Sequence, residues 1–152
     1  MVRLVDVDPL LHDFLRDYDC PKLESQPWTP PPALKDMRVA IISTAGLKLK
    51  TDRPFASDSC DYRVIPADKA NDVVQDHVSA GHDRIGFMDD VNIVFPLQRL
   101  KELAEAGEIG SVADFHYSFM GAVDARKMEP AARQLAGIMK EEAVNAVILT
   151  PV

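Results

Sequence analysis

The chain has 152 residues, 47% hydrophobic and 27% charged, the make-up of one water-soluble globular domain with a sizeable core. Seventeen basic against 24 acidic side chains leave a net charge of −7, which argues against nucleic acid or an anionic membrane surface as the main partner. No apolar run approaches the roughly 20 residues of a membrane span, and the acidic first residues lack the order of a secretory signal, so a cytoplasmic location is expected.

Residues 1–36 read as an N-terminal arm, separate from the domain formed by 37–152. Within it, residues 8–18 (DPLLHDFLRDY) predict an amphipathic helix with Leu10, Leu11, Phe14 and Leu15 as its apolar stripe. The run PWTPPP at 27–32 must be extended, because proline fixes φ and lacks an N–H. The arm is expected to pack on a neighbour or second subunit with Trp28 as anchor, and to take no part in catalysis.

Residues 37–45 (MRVAIISTA) are a nearly continuous apolar run, as in a central parallel strand buried on both faces. Gly46 ends it, and 47–61 reads as polar and irregular. YRVIP at 62–66 predicts a second strand, 72–78 a third, and 79–90 a loop holding Gly81, His82, Asp83 and Gly86. Residues 96–107 (PLQRLKELAEAG) predict a helix opened by Pro96 and stopped by Gly107. The stretch 112–120 (VADFHYSFM) predicts a strand, 129–142 the last helix, and 143–152 (AVNAVILTPV) a last, buried strand. This alternation predicts an α/β fold: a mostly parallel sheet with flanking helices, Rossmann-like and three-layered.

Three constellations are candidates for chemistry. Small hydroxyl residues leaving a central strand, Ser43 and Thr44, suit a carboxylate or phosphate, although no glycine-rich phosphate motif accompanies them. Asp76, His77, His82, Asp83, Asp89, Asp90 and Asn92 gather polar and titratable groups around a loop. Their spacing matches no zinc signature, so no metal is assigned; a polar-substrate or proton-transfer site and a plain solvated loop both stay open. On the strand at 112–120, His116, Ser118 and Met120 share one face, while Tyr117 and Phe119 take the other and are expected in the core. Cys20 and Cys60 stand alone, without a CxxC pair, and read as reduced thiols. No nucleophile elbow is present, so no Ser–His–acid triad is assigned.

The blocks ISTAGLKLKTDRPF, SCDYRVIP and, above all, NIVFPLQRLKELAEAGEIGSVADFHYSFMG are similar to the selenoprotein B family of glycine, sarcosine and betaine reductases, which includes the selenocysteine subunit of D-proline reductase. The resemblance runs from about Asp36 to Val152, and the early final strand suits the D-proline type. It implies that a strand like AVILTPV leads directly into a redox-active selenocysteine or cysteine, expected just after Val152. The chain is therefore expected to stop at a selenocysteine codon, to hold no catalytic group itself and to be inactive alone. The implied reaction is reductive cleavage of a C–N bond in an amino acid or N-methylated amine. A selenolate or thiolate is the nucleophile, and a pyruvoyl group on a partner subunit activates the amine. Expected substrate-binding residues are Ser43, Thr44, His77, Asp83, Asn92, Ser118 and Thr150, with a homo- or hetero-oligomer as the working state. Two alternatives remain: a non-catalytic binding or structural subunit, and a metal-dependent hydrolase or lyase built on His77, His82, Asp83 and His116.

Overall fold

The computed structural model describes residues 5, 8–19, 22, 24, 27–79 and 84–152, apart from the side chains of 10, 11, 14 and 15. Among these, helix α1 covers Pro9–Arg16, after which the chain runs without regular structure through the proline stretch, where Trp28 is 91% exposed. The expected arm helix is present; its apolar stripe lies outside the described side chains. Trp28 is not packed into the core formed by the described residues.

Strand β1 (Arg38–Ser43) is the centre of the sheet. It pairs in parallel with β7 (Ala146–Thr150) on one side, and with β5 (Ser111–Val112) and β6 (Phe115–Phe119) on the other. Strand β3 (Tyr62–Pro66) lies antiparallel on β6 at the opposite edge. Strands β2 (Leu47–Leu49) and β4 (Val73–Gln75) form a separate antiparallel pair. The fold is α/β, and its main sheet is mixed rather than purely parallel. The antiparallel members follow from short connections: β2 and β3 leave the carboxyl side of β1 without a crossover helix, which a parallel return would need.

Helix α3 (Leu97–Glu105) covers one face of the sheet, where Leu97 and Leu100 join Phe95, Val39, Ile41 and Ile65. Helix α4 (Ala125–Glu141) covers the other, with Leu135 against Tyr117 and Phe119. Tyr62 meets the Tyr117 ring edge-on at 5.7 Å between centroids, a favoured aromatic geometry. The alternation predicted for 112–120 holds: the aromatics face α4, whereas His116 meets Phe95 on the α3 side.

Four expectations need correction. The stretch 47–61 contains β2, and the predicted loop contains a short helix, α2 (Ile85–Asp89). Helix α4 begins a turn earlier than predicted, capped by the Asp124 carboxylate, which accepts from the Arg126 N–H at 3.0 Å. Pro130 lies inside the helix in its second turn, where it has no N–H to donate to the Arg126 carbonyl and so removes one bond of the helical ladder. Finally, β7 is an edge strand and not a buried one: Val147, Ile148 and Leu149 are 39%, 36% and 69% exposed.

The strand predicted at 112–120 is broken at Ala113 and Asp114, with a consequence for His116. From Val39 to Ile42, β1 advances three positions, while its partner advances five, from Val112 to Tyr117. The extra residues bulge out of the ladder, so no partner carbonyl serves the Ile41 N–H. The His116 ring fills the gap: its Nδ1 accepts from Ile41 N–H at 3.0 Å, fully buried.

Candidate functional site

In sheets of this type, working groups gather beyond the carboxyl ends of the parallel strands. Here those ends belong to β1, β6 and β7. Ser43 is in register with both Ser118 and Thr150, so three of the predicted residues share one level of the sheet. Just beyond it the Thr44 N–H donates to the Thr150 carbonyl at 3.1 Å, and Thr44 Oγ1 accepts from the Val152 N–H at 2.9 Å. The chain leaving β7 is thereby fastened to the turn leaving β1.

Ser43 and Ser118 are fully buried and their hydroxyls are engaged with the backbone. Ser43 Oγ accepts from the Ala45 N–H at 3.2 Å. Ser118 Oγ accepts from the Leu47 N–H at 2.8 Å and donates to the Phe119 carbonyl at 3.2 Å. These two side chains shape the turn at 44–47; Thr44, half-buried, is the hydroxyl that reaches the rim.

Two glycines make the convergence possible. Gly46 adopts φ +64°, and a Cβ there would lie 2.8 Å from the backbone N and Cα of His77. Gly121 adopts φ +85°, and its Cβ would lie 2.6 Å from the Thr44 carbonyl oxygen. Both positions combine a left-handed backbone with contact to another main chain, and only glycine satisfies both demands. Through Gly46, His77 joins the group. It is 5% exposed, its Nδ1 accepts from Ser79 N–H at 3.2 Å, and its carbonyl accepts from the Arg84 guanidinium.

The remaining predicted residues separate. Asn92 lines a different, smaller cavity of about 240 Å³ beneath α3, with Ala70, Asn71, Phe95, Gln98 and Lys101. Its Nδ2 donates to Asp90 Oδ1 at 2.8 Å, and the Asp90 carboxyl is held below the usual range by the N–H groups of Asn92. Asp83 and His82 lie outside the described residues. Burial drives His116 down to about 4, so it is neutral, with Nδ1 committed to β1. Among the described residues, no group of three His, Cys, Asp or Glu side chains is arranged to hold a metal ion.

Beside Thr44 and Gly121 opens a crevice of about 600 Å³, which the sequence reading did not anticipate. Its walls are Gly121, Ala122, Val123, Asp124 and Arg126 after β6, with Ser79, and Tyr18 and Asp19 from the segment after α1. The N-terminal arm therefore contributes part of the crevice wall. Arg126 Nη2 lies 2.9 Å from Asp124 Oδ2 and its Nη1 lies 3.7 Å from Asp19 Oδ2. The guanidinium, with its neighbouring N–H, holds the Asp124 carboxyl below its ordinary range. The available signal was the order Gly-Ala-Val-Asp-Ala-Arg, a strand exit followed by a helix cap; Pro130 drew the predicted helix start past it.

The crevice lies past the carboxyl end of β6, the side of an α/β sheet where ligand sites commonly form. The family model for glycine/sarcosine/betaine reductase selenoprotein B matches residues 10–152, and the chain belongs to that family. It is 36% identical over 135 residues to D-proline reductase subunit gamma of Acetoanaerobium sticklandii, covering 82% of this chain and 55% of that one. It is also 28% identical to sarcosine reductase complex component B subunit beta of Peptoclostridium acidaminophilum, over 90% of this chain and 33% of the relative. Glycine reductase complex component B subunit gamma of Carboxydothermus hydrogenoformans is 25% identical, with 91% and 33% covered. The chain thus spans about half the length of the first of these relatives and about a third of the other two. No solved structure matches it. Among the described residues, no helix is long and apolar enough to cross a membrane.

Proposed function

We propose that this chain is the scaffold of a reductase-complex subunit that cleaves a C–N bond of an amino acid or N-methylated amine at the carboxyl edge of the sheet. The relatives are named as subunits of D-proline, sarcosine and glycine reductases. The observation that carries the reading is the fastening of Val152 to Thr44, whose carbonyl abuts Gly121 in the wall of the crevice. The nucleophile of this reading is a selenocysteine or cysteine at this edge of the sheet. An ionised selenolate or thiolate there would attack the α-carbon of an amine held in the crevice, forming a Se–C or S–C bond as the C–N bond breaks and the amine leaves. The external dithiol then reduces the adduct, releasing the product and ending as a disulfide. A partner's pyruvoyl group supplies the electron sink for the amine; no residue of this chain is assigned to hold it.

In this reading Thr44 and Gly121 set the approach of the nucleophile, Ser43 and Ser118 stiffen the turns that carry it, and His77 buttresses Gly46. The relevant oligomer is a complex with the pyruvoyl-bearing subunit. The test uses native complex isolated from the source organism through an antibody to this chain. It is supplied with dithiol and, in turn, glycine, sarcosine, betaine and D-proline. Ring-opened or deaminated product from at least one of them is expected; none from any of the four, in a complex of intact composition, removes the reading.

A further inference from the structure

Helix α2 carries three large apolar residues in five positions, and one of them, Phe87, packs with Val91 against the core cluster that holds Leu97 and Leu100. The other two, Ile85 and Met88, stand three positions apart on one helical face and are 67% and 80% exposed. Ile93, 59% exposed, lies against the same helix: a Cβ on Gly86 would come within 3.3 Å of its Cδ1. The three side chains form one ridge, held from behind by Phe87. Single exposed apolar residues are ordinary, whereas a cluster on an anchored element marks a contact surface. Its rim is acidic. Asp89 and Asp90 follow Met88 directly, both exposed, and neither forms an ion pair among the described residues. Asp90 Oδ1 accepts from the Asn92 N–H at 2.9 Å and from its Nδ2 at 2.8 Å. The cation that acts on Asp90, Arg99, is engaged by Glu102 at 2.7 Å.

Ridge and rim together select the occupant. A second copy placed on a two-fold axis through the ridge would bring its own Asp89 and Asp90 against these, with a net charge of −7 on each side. An anionic lipid surface would meet the same repulsion. A basic segment of a different chain satisfies both the apolar ridge and the acidic rim. We infer that the ridge of Ile85, Met88 and Ile93 is the docking surface for a basic segment of another subunit of the reductase complex. Apolar side chains of that segment sit on the ridge, and its lysine or arginine residues face Asp89 and Asp90. The inference rests on the reading of this chain as a subunit of such a complex and adds which of its surfaces meets a companion. Met88 suits the centre of the contact, because its unbranched thioether side chain adapts to the shape of a partner and methionine is enriched in interface cores. Phe87 and Val91 fix the platform, so docking orders little of this chain and costs little entropy.

The test uses the native complex and a carbodiimide, which joins a carboxylate to a lysine without a spacer. Mass spectrometry of the product should find Asp89 or Asp90 bonded to a lysine of a different subunit. In hydroxyl-radical footprinting, Met88 should be oxidised at least about fivefold more slowly in the complex than in the full chain alone. Isotope-labelled full chain added to the complex should exchange into it, and the Asp89→Arg chain should do so about tenfold less at low salt, with the gap narrowing at high salt. An unchanged circular dichroism spectrum shows that this variant keeps its fold. Bridges only to lysines of this same sequence, or none, overturn the inference. So does equal oxidation of Met88 in complex and free chain, or equal exchange of Asp89→Arg and wild type. None of these readouts needs turnover. A bridge to another subunit in a complex that cleaves none of the four amines leaves the docking surface standing and removes the reductase reading. Cleavage by a complex in which Met88 is oxidised as fast as in the free chain does the reverse.

Discussion

The most exacting prediction concerns His116, a polar side chain in the middle of the core. Its Nδ1 accepts from the Ile41 N–H, so the neutral ring is required for this bond, and burial pushes its pKa from 6.5 down to about 4. The unfolded chain therefore binds a proton on this residue between pH 6.5 and about 4 while the folded chain does not. Stability from this source is fully present above about pH 6.5 and falls by about 1.4 kcal/mol per pH unit below it, to a total of roughly 3 kcal/mol near pH 4. His116→Gln keeps an acceptor near Ile41 and removes the titration. His116→Leu removes both, leaving a buried N–H unpaired at a cost of about 1–3 kcal/mol at every pH. Urea unfolding at pH 7.5, 5.5 and 4.5 separates these terms. The wild-type midpoint should fall with pH more steeply than that of either variant, and the His116→Leu curve should lie lowest at pH 7.5. Parallel wild-type and His116→Gln curves from pH 7.5 to 4.5 would refute the reasoning.

Further predictions follow from the turns and edges. Gly107 and Gly121 both have positive φ, but a Cβ meets nothing within 4 Å at Gly107, whereas at Gly121 it meets the Thr44 main chain. Gly107→Ala should therefore cost about 1 kcal/mol in thermal or urea unfolding, and Gly121→Ala at least twice that, roughly. Equal losses would show that the crowding at Gly121 is not felt. Arg63 is 8% exposed, pairs with Asp61 at 2.7 Å and lies 4.2 Å over the Phe55 ring. Arg63→Met keeps much of the packing volume but strands Asp61 and the loop carbonyls, so a loss of about 1–3 kcal/mol is expected; a neutral result counts against this residue as the organiser of the 53–61 loop. The exposed edge of β7 should promote self-association at high concentration, which Leu149→Lys should suppress in sedimentation velocity without lowering the melting temperature. A wild-type chain that stays monomeric throughout contradicts this.

Much of the fold was legible because its strongest signals are local. The apolar run around Ile41 and Ile42, the YRVIP strand and the helix between Pro96 and Gly107 each carry their own boundaries. What escaped depends on partners distant in sequence. Strand β2 exists because β4 pairs with it, a relation that three residues of sequence cannot announce. The apolar character of β7 reads as burial, yet strand order puts it at an edge. Alternation places His116 on one strand face with Ser118; only the register shift between β1 and its neighbour reveals an unserved N–H in front of the ring. The crevice was missed for the same reason: Tyr18 and Asp19 are more than a hundred positions from Asp124 and Arg126, with no periodicity connecting them. Ser43, Ser118 and Thr150 stand at strand ends, which sequence position signals; that they share one level depends on register, and the burial of the two serines on packing, neither of which local sequence carries.

The account as a whole turns on the place where a reducing nucleophile works, and one labelling experiment addresses it directly. Native complex from the source organism, treated with iodoacetamide at slightly acid pH after reduction, should be alkylated on a low-pKa selenol or thiol at the carboxyl edge of the sheet, beside the AVILTPV peptide, with protection by the substrate that the complex cleaves. Label confined to Cys20 or Cys60, or no low-pKa group beside that peptide, would contradict it.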